Sequence, residues 1–170
     1  DWSVTGVQTC ALPISFGILP GFREYFAVKA LPNPHILRIL HEEGCGFDCS
    51  SIPELILARE VGAGADEIFF TSNNTAPDEF QAALDADAIL NLDDLRLLDK
   101  LPSLPSQIAF RYNPGARREG NAIIGTPIEA KFGLTHDQAH LVIEEAARRG
   151  ISRFGLHAMT VSNELNANSI

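Results

Sequence analysis

From Phe26 onward, short apolar runs alternate with stretches whose apolar residues recur at spacings of three and four. The runs "FAVKA", "GFDCS", "EIFFTS", "AILNLD", "QIAFRYNP" and "RFGLHAMTV" read as strands. Between them, "PHILRILHEEG", "PELILAREVG", "PDEFQAALDA", "DLRLLDKL" and "DQAHLVIEEAARRG" read as helices. Leu55, Leu57, Ala58 and Val61 form one predicted apolar stripe, and Leu141, Ile143, Ala146 and Ala147 form another. Ser51 with Glu54 and Thr135 with Gln138 have capping-box spacing, and Gly44, Gly62 and Gly150 stand where helices should stop.

A strand followed by a helix, repeated at roughly twenty residues, is the rhythm of a parallel sheet with helices outside it. Six such units are too many for half of a small doubly wound sheet and too few for a closed eight-stranded barrel. The expected fold is α/β, an incomplete (β/α)8 TIM-type barrel, with an open six-stranded α/β sheet as the alternative. The final stretch "VSNELNANSI" begins a further helical pattern without a cap, so the last strand is expected to be an unpaired edge.

The amino-terminal stretch breaks this rhythm. Val4 to Ile14, "VTGVQTCALPI", reads codon by codon as the in-frame translation of a short-read sequencing adapter. Residues 1–15 are therefore expected to be non-native, with 16–170 forming the native segment. Cys10 then drops out, leaving Cys45 and Cys49, whose spacing without a second Cys or His pair reads as two buried thiols rather than a metal site.

Composition narrows the partners. With 170 residues, 45% hydrophobic and 21% charged, the chain is of ordinary globular type, and a net charge of −9 disfavours nucleic acid, whose binders carry a basic face. No apolar run is long enough to span a bilayer and no secretory segment is evident, so a cytoplasmic location and no membrane partner are expected.

Chemistry-bearing residues collect just after the predicted strands, where barrels of this type place their working groups. Lys29 follows the first, Asp48 ends the second, and Ser72, Asn73 and Asn74 follow the third. Asp93 follows the fourth, Arg111 and Asn113 end the fifth, and His157, Thr160 and Ser162 run out of the sixth. A lysine in a partly desolvated pocket becomes a usable amine for Schiff-base chemistry with a carbonyl. The plainer alternative is a rim ion pair between Lys29 and Asp48.

The stretches "FAVKALPNPHILRILHEEGCGFDCSSIPEL", "IFFTSNN", "RYNPG" and "KFG", in that order, resemble the barrel domain of the fold-type III pyridoxal-phosphate decarboxylases, within them the diaminopimelate decarboxylase group. The resemblance covers essentially everything after Ser15, and makes 16–170 a partial pyridoxal-phosphate-binding barrel domain. It implies that Lys29 is the catalytic lysine, carrying pyridoxal 5'-phosphate as an imine that an incoming amino acid displaces. It also implies that Asp48 lies beside this lysine and Arg111 near the cofactor ring. Glu54 fits a family glutamate as well as a helix cap, with the cap favoured, and Lys131 resembles a lysine of the dimer interface.

In one place the chain departs from the family pattern. After "GLH" the family carries a second histidine against the ring, then a glycine and a serine near the phosphate. Here Met159 and Val161 stand at the histidine and glycine places, while Ser162 keeps its own. His157 lies two residues earlier and on the same strand face, so either His157 or Met159 is the side chain expected to cover the ring. The family's glycine-rich phosphate loop, its Glu-Pro-Gly-Arg segment and its C-terminal β-domain do not occur in this sequence.

The resemblance thus implies a parent protein that decarboxylates meso-diaminopimelate to L-lysine as a homodimer. Ornithine, arginine or carboxynorspermidine decarboxylation, a non-catalytic pyridoxal-phosphate-binding barrel and a lysine-dependent aldolase barrel are the alternatives. The 170 residues on their own are expected to be inactive and poorly folded.

Overall fold

The computed structural model describes residues 18–114 and 133–159. They fall into two compact units, one containing the described residues through Ser72 with Asp78–Ile89, the other Asn73–Pro77 and the described residues from Leu90 on. The adapter-like stretch, Lys131, Thr160, Val161 and Ser162 lie outside the described residues.

In the first unit, β1 (Tyr25–Ala27), β2 (Gly46–Cys49) and β3 (Ile68–Thr71) pair in parallel and in chain order. Phe47, Cys49, Ile68 and Phe70, register partners on one face of the sheet, are almost fully buried, while Asp48, Phe69 and Thr71 on the other face are half-buried. Helices α1 (Pro34–Glu42) and α2 (Ile52–Glu60) bury Leu37, Leu40, Leu55 and Ala58, and α3 (Pro77–Asp85) buries Phe80 and Ala83. Helix α1 starts where Asn33 accepts a hydrogen bond from the His35 amide at 3.0 Å and Pro34 supplies a preset φ. Gly44 and Gly62 follow α1 and α2 with φ of +87° and +102°, the left-handed stops their positions imply.

Two local expectations change. The strand expected through "FAVKA" ends at Ala27, and Val28–Ala30 forms a 3-10 turn closed by the Leu31 amide on the Val28 carbonyl. Pro32 and Pro34 bar further strand or helix extension through "ALPNP". The Ser51–Glu54 capping box is also incomplete. Ser51 donates to Glu54 Oε1 at 2.8 Å instead of accepting from the helix, while Glu54 Oε2 accepts from the Ser50 amide at 2.9 Å.

In the second unit, β4 (Ile89–Leu92, from Leu90 on), β5 (Gln107–Arg111) and β6 (Arg153–His157) are again parallel neighbours in chain order. Leu90, Leu92, Ile108 and Phe110 form the buried layer. Leu95–Lys100, expected as an α-helix, is a 3-10 segment that Asp94 caps and Pro102 cuts short. Helix α4 (His136–Arg148) carries the full capping box: Thr135 and Gln138 each accept from the other's backbone amide. It buries Ala139, Val142 and Ala146, whereas Leu141 is 64% exposed. The apolar face is therefore rotated from the expected stripe towards small side chains, which permit close packing.

Strand β6 differs from the others in being exposed along most of its length, Leu156 at 68%. Among the described residues it pairs with β5 alone within its unit, in line with the expected edge.

Candidate functional site

The first cluster stands at the carboxyl ends of β1 to β3. Ala27 and Asp48 are register partners, and Lys29 follows Ala27 by two residues on the exposed 3-10 turn. The expected alternative, an ion pair, is not formed: no hydrogen bond or salt bridge joins Lys29 to the described residues, although its charge acts on Asp48. Asp48 Oδ1 is buried without a hydrogen-bond partner among the described residues, while Thr71 hydrogen-bonds the same side chain. Burial pushes the Asp48 carboxyl above the usual carboxylate range; Thr71 and then Lys29 pull it down, and Glu54 pushes it up.

Cys45 and Cys49 lie close by in the chain but offer no nucleophile. Both are buried free thiols, and burial pushes Cys49 up to about 12. Among the described residues no group of three His, Cys, Asp or Glu side chains could hold a metal ion.

The second cluster stands at the ends of β4 to β6, within the second unit. Arg111 and His157 are register partners at the last positions of β5 and β6. Asn91 Nδ2 lies 2.9 Å from His157 Nδ1, and Arg111 Nη2 donates to Met159 Sδ at 3.4 Å. Burial lowers the His157 pKa, and the Arg111 charge lowers it further. Burial likewise lowers the Arg111 pKa, opposed by Asp93, whose own carboxyl burial raises. Gly133 has φ of +94°, and its amide donates to the Asp93 carbonyl at 3.0 Å. A Cβ there would lie 3.2 Å from Asn113 Cβ, so the position needs glycine on both grounds.

Lys29 with Asp48, and Arg111 with His157, are thus assembled as strand-end groups within their units; Ser162 falls outside the described residues. Thr71 and Asn91 escaped the sequence reading. Each is a polar residue inside a strand rather than after it, and Asn91, only 3% exposed within "ILNL", is the interruption in an otherwise apolar run that marked it.

The family model described as "Pyridoxal-dependent decarboxylase, pyridoxal binding domain" matches residues 17–166. Protein TabA of Pseudomonas amygdali pv. tabaci is 46% identical over 145 residues, 85% of this chain and 34% of that protein. The diaminopimelate decarboxylase of Methanothermobacter thermautotrophicus is 36% identical over 142 residues, 81% of this chain and 33% of that protein. Among solved structures, the lysine/ornithine decarboxylase of Vibrio vulnificus in complex with cadaverine matches with a TM-score of 0.78 at 26% identity, covering 98% of this chain and 42% of that one. That structure shares the expected fold class, of which the described residues carry six strands and four α-helices. The chain spans about a third of the length of the curated relatives it matches. It belongs to the pyridoxal-dependent decarboxylase family, within whose pyridoxal-binding domain nearly all of its residues fall.

Proposed function

We propose that the protein to which this chain belongs is a pyridoxal-phosphate-dependent amino-acid decarboxylase, with meso-diaminopimelate as substrate and L-lysine as product. The observation that carries the reading is the pairing of an exposed amine, Lys29, with a buried carboxylate oxygen, Asp48 Oδ1, that has no hydrogen-bond partner among the described residues. An orphaned buried acceptor is costly unless a proton or cation is brought to it. Residues of this kind fit pyridoxal phosphate: Lys29 would hold it through its amine, and Asp48 would set a carboxylate beside that nitrogen.

The roles of Arg111 and Ser162 rest on their match to family motifs, and that of His157 on its place two residues before Met159, which holds the family histidine's position. Arg111 offers a guanidinium to an acceptor on the ring, His157 an imidazole to its face, and Ser162 a hydroxyl to the phosphate. Pyridoxal phosphate, when bound, supplies the electron sink for the charge left on the substrate's Cα as carbon dioxide departs. A homodimer is the assembly this reading carries for the intact protein.

A second substrate reading has its own support. Protein TabA matches at 46% identity, above the 33% and 36% of two diaminopimelate decarboxylases, and Met159 stands where the family pattern has histidine. A decarboxylase for another basic amino acid, such as ornithine, arginine or carboxynorspermidine, is accordingly the alternative. The test is carbon dioxide release by the gene's full product from a panel of these four amino acids. Release from meso-diaminopimelate with formation of lysine supports the primary reading, and release from another member moves the substrate. A product that binds the cofactor yet releases carbon dioxide from no amino acid overturns both in favour of a non-catalytic barrel.

A further inference from the structure

Across the second unit, Asn91 on β4, Ala109 on β5 and Gly155 on β6 occupy one row of the parallel ladder. Row partners share a sheet face, so their side chains emerge side by side. Ala109 presents a methyl group and Gly155 nothing. A Cβ at Gly155 would already stand 3.3 Å from the Ala109 Cβ. The low ground above these residues lets the Asn91 amide reach past β5 to His157, the next position along the same face of β6 after Gly155. Adjacent strands are about 4.8 Å apart, so without small residues in the row this span of two strand spacings would be closed to an asparagine.

Asn91 is almost wholly buried, and its amide nitrogen, a donor only, meets His157 at Nδ1. An imidazole nitrogen that accepts a hydrogen bond carries no proton, so in the neutral ring the proton resides on the other nitrogen. We propose that Asn91 is a positioning residue that holds His157 in its Nε2–H tautomer, so that the end of β6 presents a hydrogen-bond donor and Nδ1 is withdrawn from proton transfer. The Arg111 guanidinium, the register partner of His157, acts in the same sense by disfavouring a second proton on the ring. In this protein the imidazole at 157 is therefore a fixed donor towards a bound group, whereas the neighbouring position offers only the Met159 thioether.

The role towards cofactor or substrate rests on the decarboxylase reading, but the tautomer does not, and it is measured without cofactor. The gene's full product is labelled with nitrogen-15 in histidine, and the His157 ring nitrogens are assigned by comparison with His157→Gln. The expected spectrum has Nδ1 unprotonated and Nε2 protonated. Asn91→Asp, whose carboxylate can only accept, is expected to move the proton to Nδ1. A wild-type His157 carrying its proton on Nδ1, or an Asn91→Asp protein with the wild-type tautomer, overturns the proposal. The wild-type spectrum decides alone if Asn91→Asp does not fold. Loss of decarboxylation in the panel above would leave this spectrum unchanged, so the two readings fail separately.

Discussion

Arg111 and His157 are register partners at the last positions of β5 and β6, and burial together with the guanidinium charge lowers the imidazole pKa. Burial is the larger cause of the lowered His157 pKa, and Arg111 the smaller. The unfolded chain takes up a proton at 157 near the ordinary value of about 6.5, while the native chain does so only at lower pH. This group's contribution is therefore intact above that pH and declines as pH falls towards the native pKa. Arg111→Gln is expected to raise the His157 pKa part of the way to the ordinary value, burial retaining the rest. An NMR titration of His157 checks this, and an unchanged midpoint would contradict it.

Asp48 works in the opposite sense. Its carboxyl is pushed up by burial, so the native chain holds this proton to higher pH than the unfolded chain does. Its ionisation destabilises the cofactor-free fold as pH rises through the native value, starting from the ordinary carboxylate pKa of about 3.9. Asp48→Asn removes that dependence. The stability difference between variant and wild type, followed by denaturant unfolding across pH without cofactor, is expected to grow in the variant's favour with pH and then level off. A flat difference would contradict the assignment.

Much of this arrangement was legible in the chain, and the misreadings have local causes. The βα rhythm, the glycine stops after α1, α2 and α4, and the Thr135–Gln138 box rest on short-range patterns that tertiary contacts did not override. Lys29 lies on a 3-10 turn because the prolines after it limit the backbone, a restraint that strand propensity does not carry. Glu54 turned back to the Ser50 amide and the Ser51 hydroxyl, because an acceptor-only carboxylate satisfies two donors there at once. In α4, two overlapping apolar sets both fit a period of 3.6, and periodicity cannot choose between them. Asn91 escaped notice because its role depends on Ala109 and Gly155, residues far apart in sequence and adjacent only in the ladder.

Gly46 meets a steric limit rather than a conformational one. A Cβ there would fall 2.6 Å from the Glu67 carbonyl oxygen and 2.8 Å from the Tyr25 ring. Backbone cannot yield as a flexible side chain does, so Gly46→Ala is expected to destabilise by about 1–3 kcal/mol, the range typical of overpacking. The shift in denaturant midpoint at unchanged slope measures it, and a neutral substitution would contradict the close approach of β2 to this carbonyl.

The Thr135 hydroxyl accepts from the Gln138 amide while the Gln138 side chain accepts from the Thr135 amide. Thr135→Ala removes one half of this exchange and is expected to cost about 1 kcal/mol. Thr135→Ser, which keeps the acceptor, should recover most of it in the same unfolding experiment. Equal losses in both variants would assign the effect to the methyl group instead of the cap.

Lys29 is the residue proposed to bind pyridoxal phosphate. The gene's full product, incubated with the cofactor, reduced with borohydride and digested, is read by mass spectrometry for the phosphopyridoxyl group. The expected result is that group on Lys29 and its loss in Lys29→Ala. Modification of other lysines with none on Lys29 would contradict the claim.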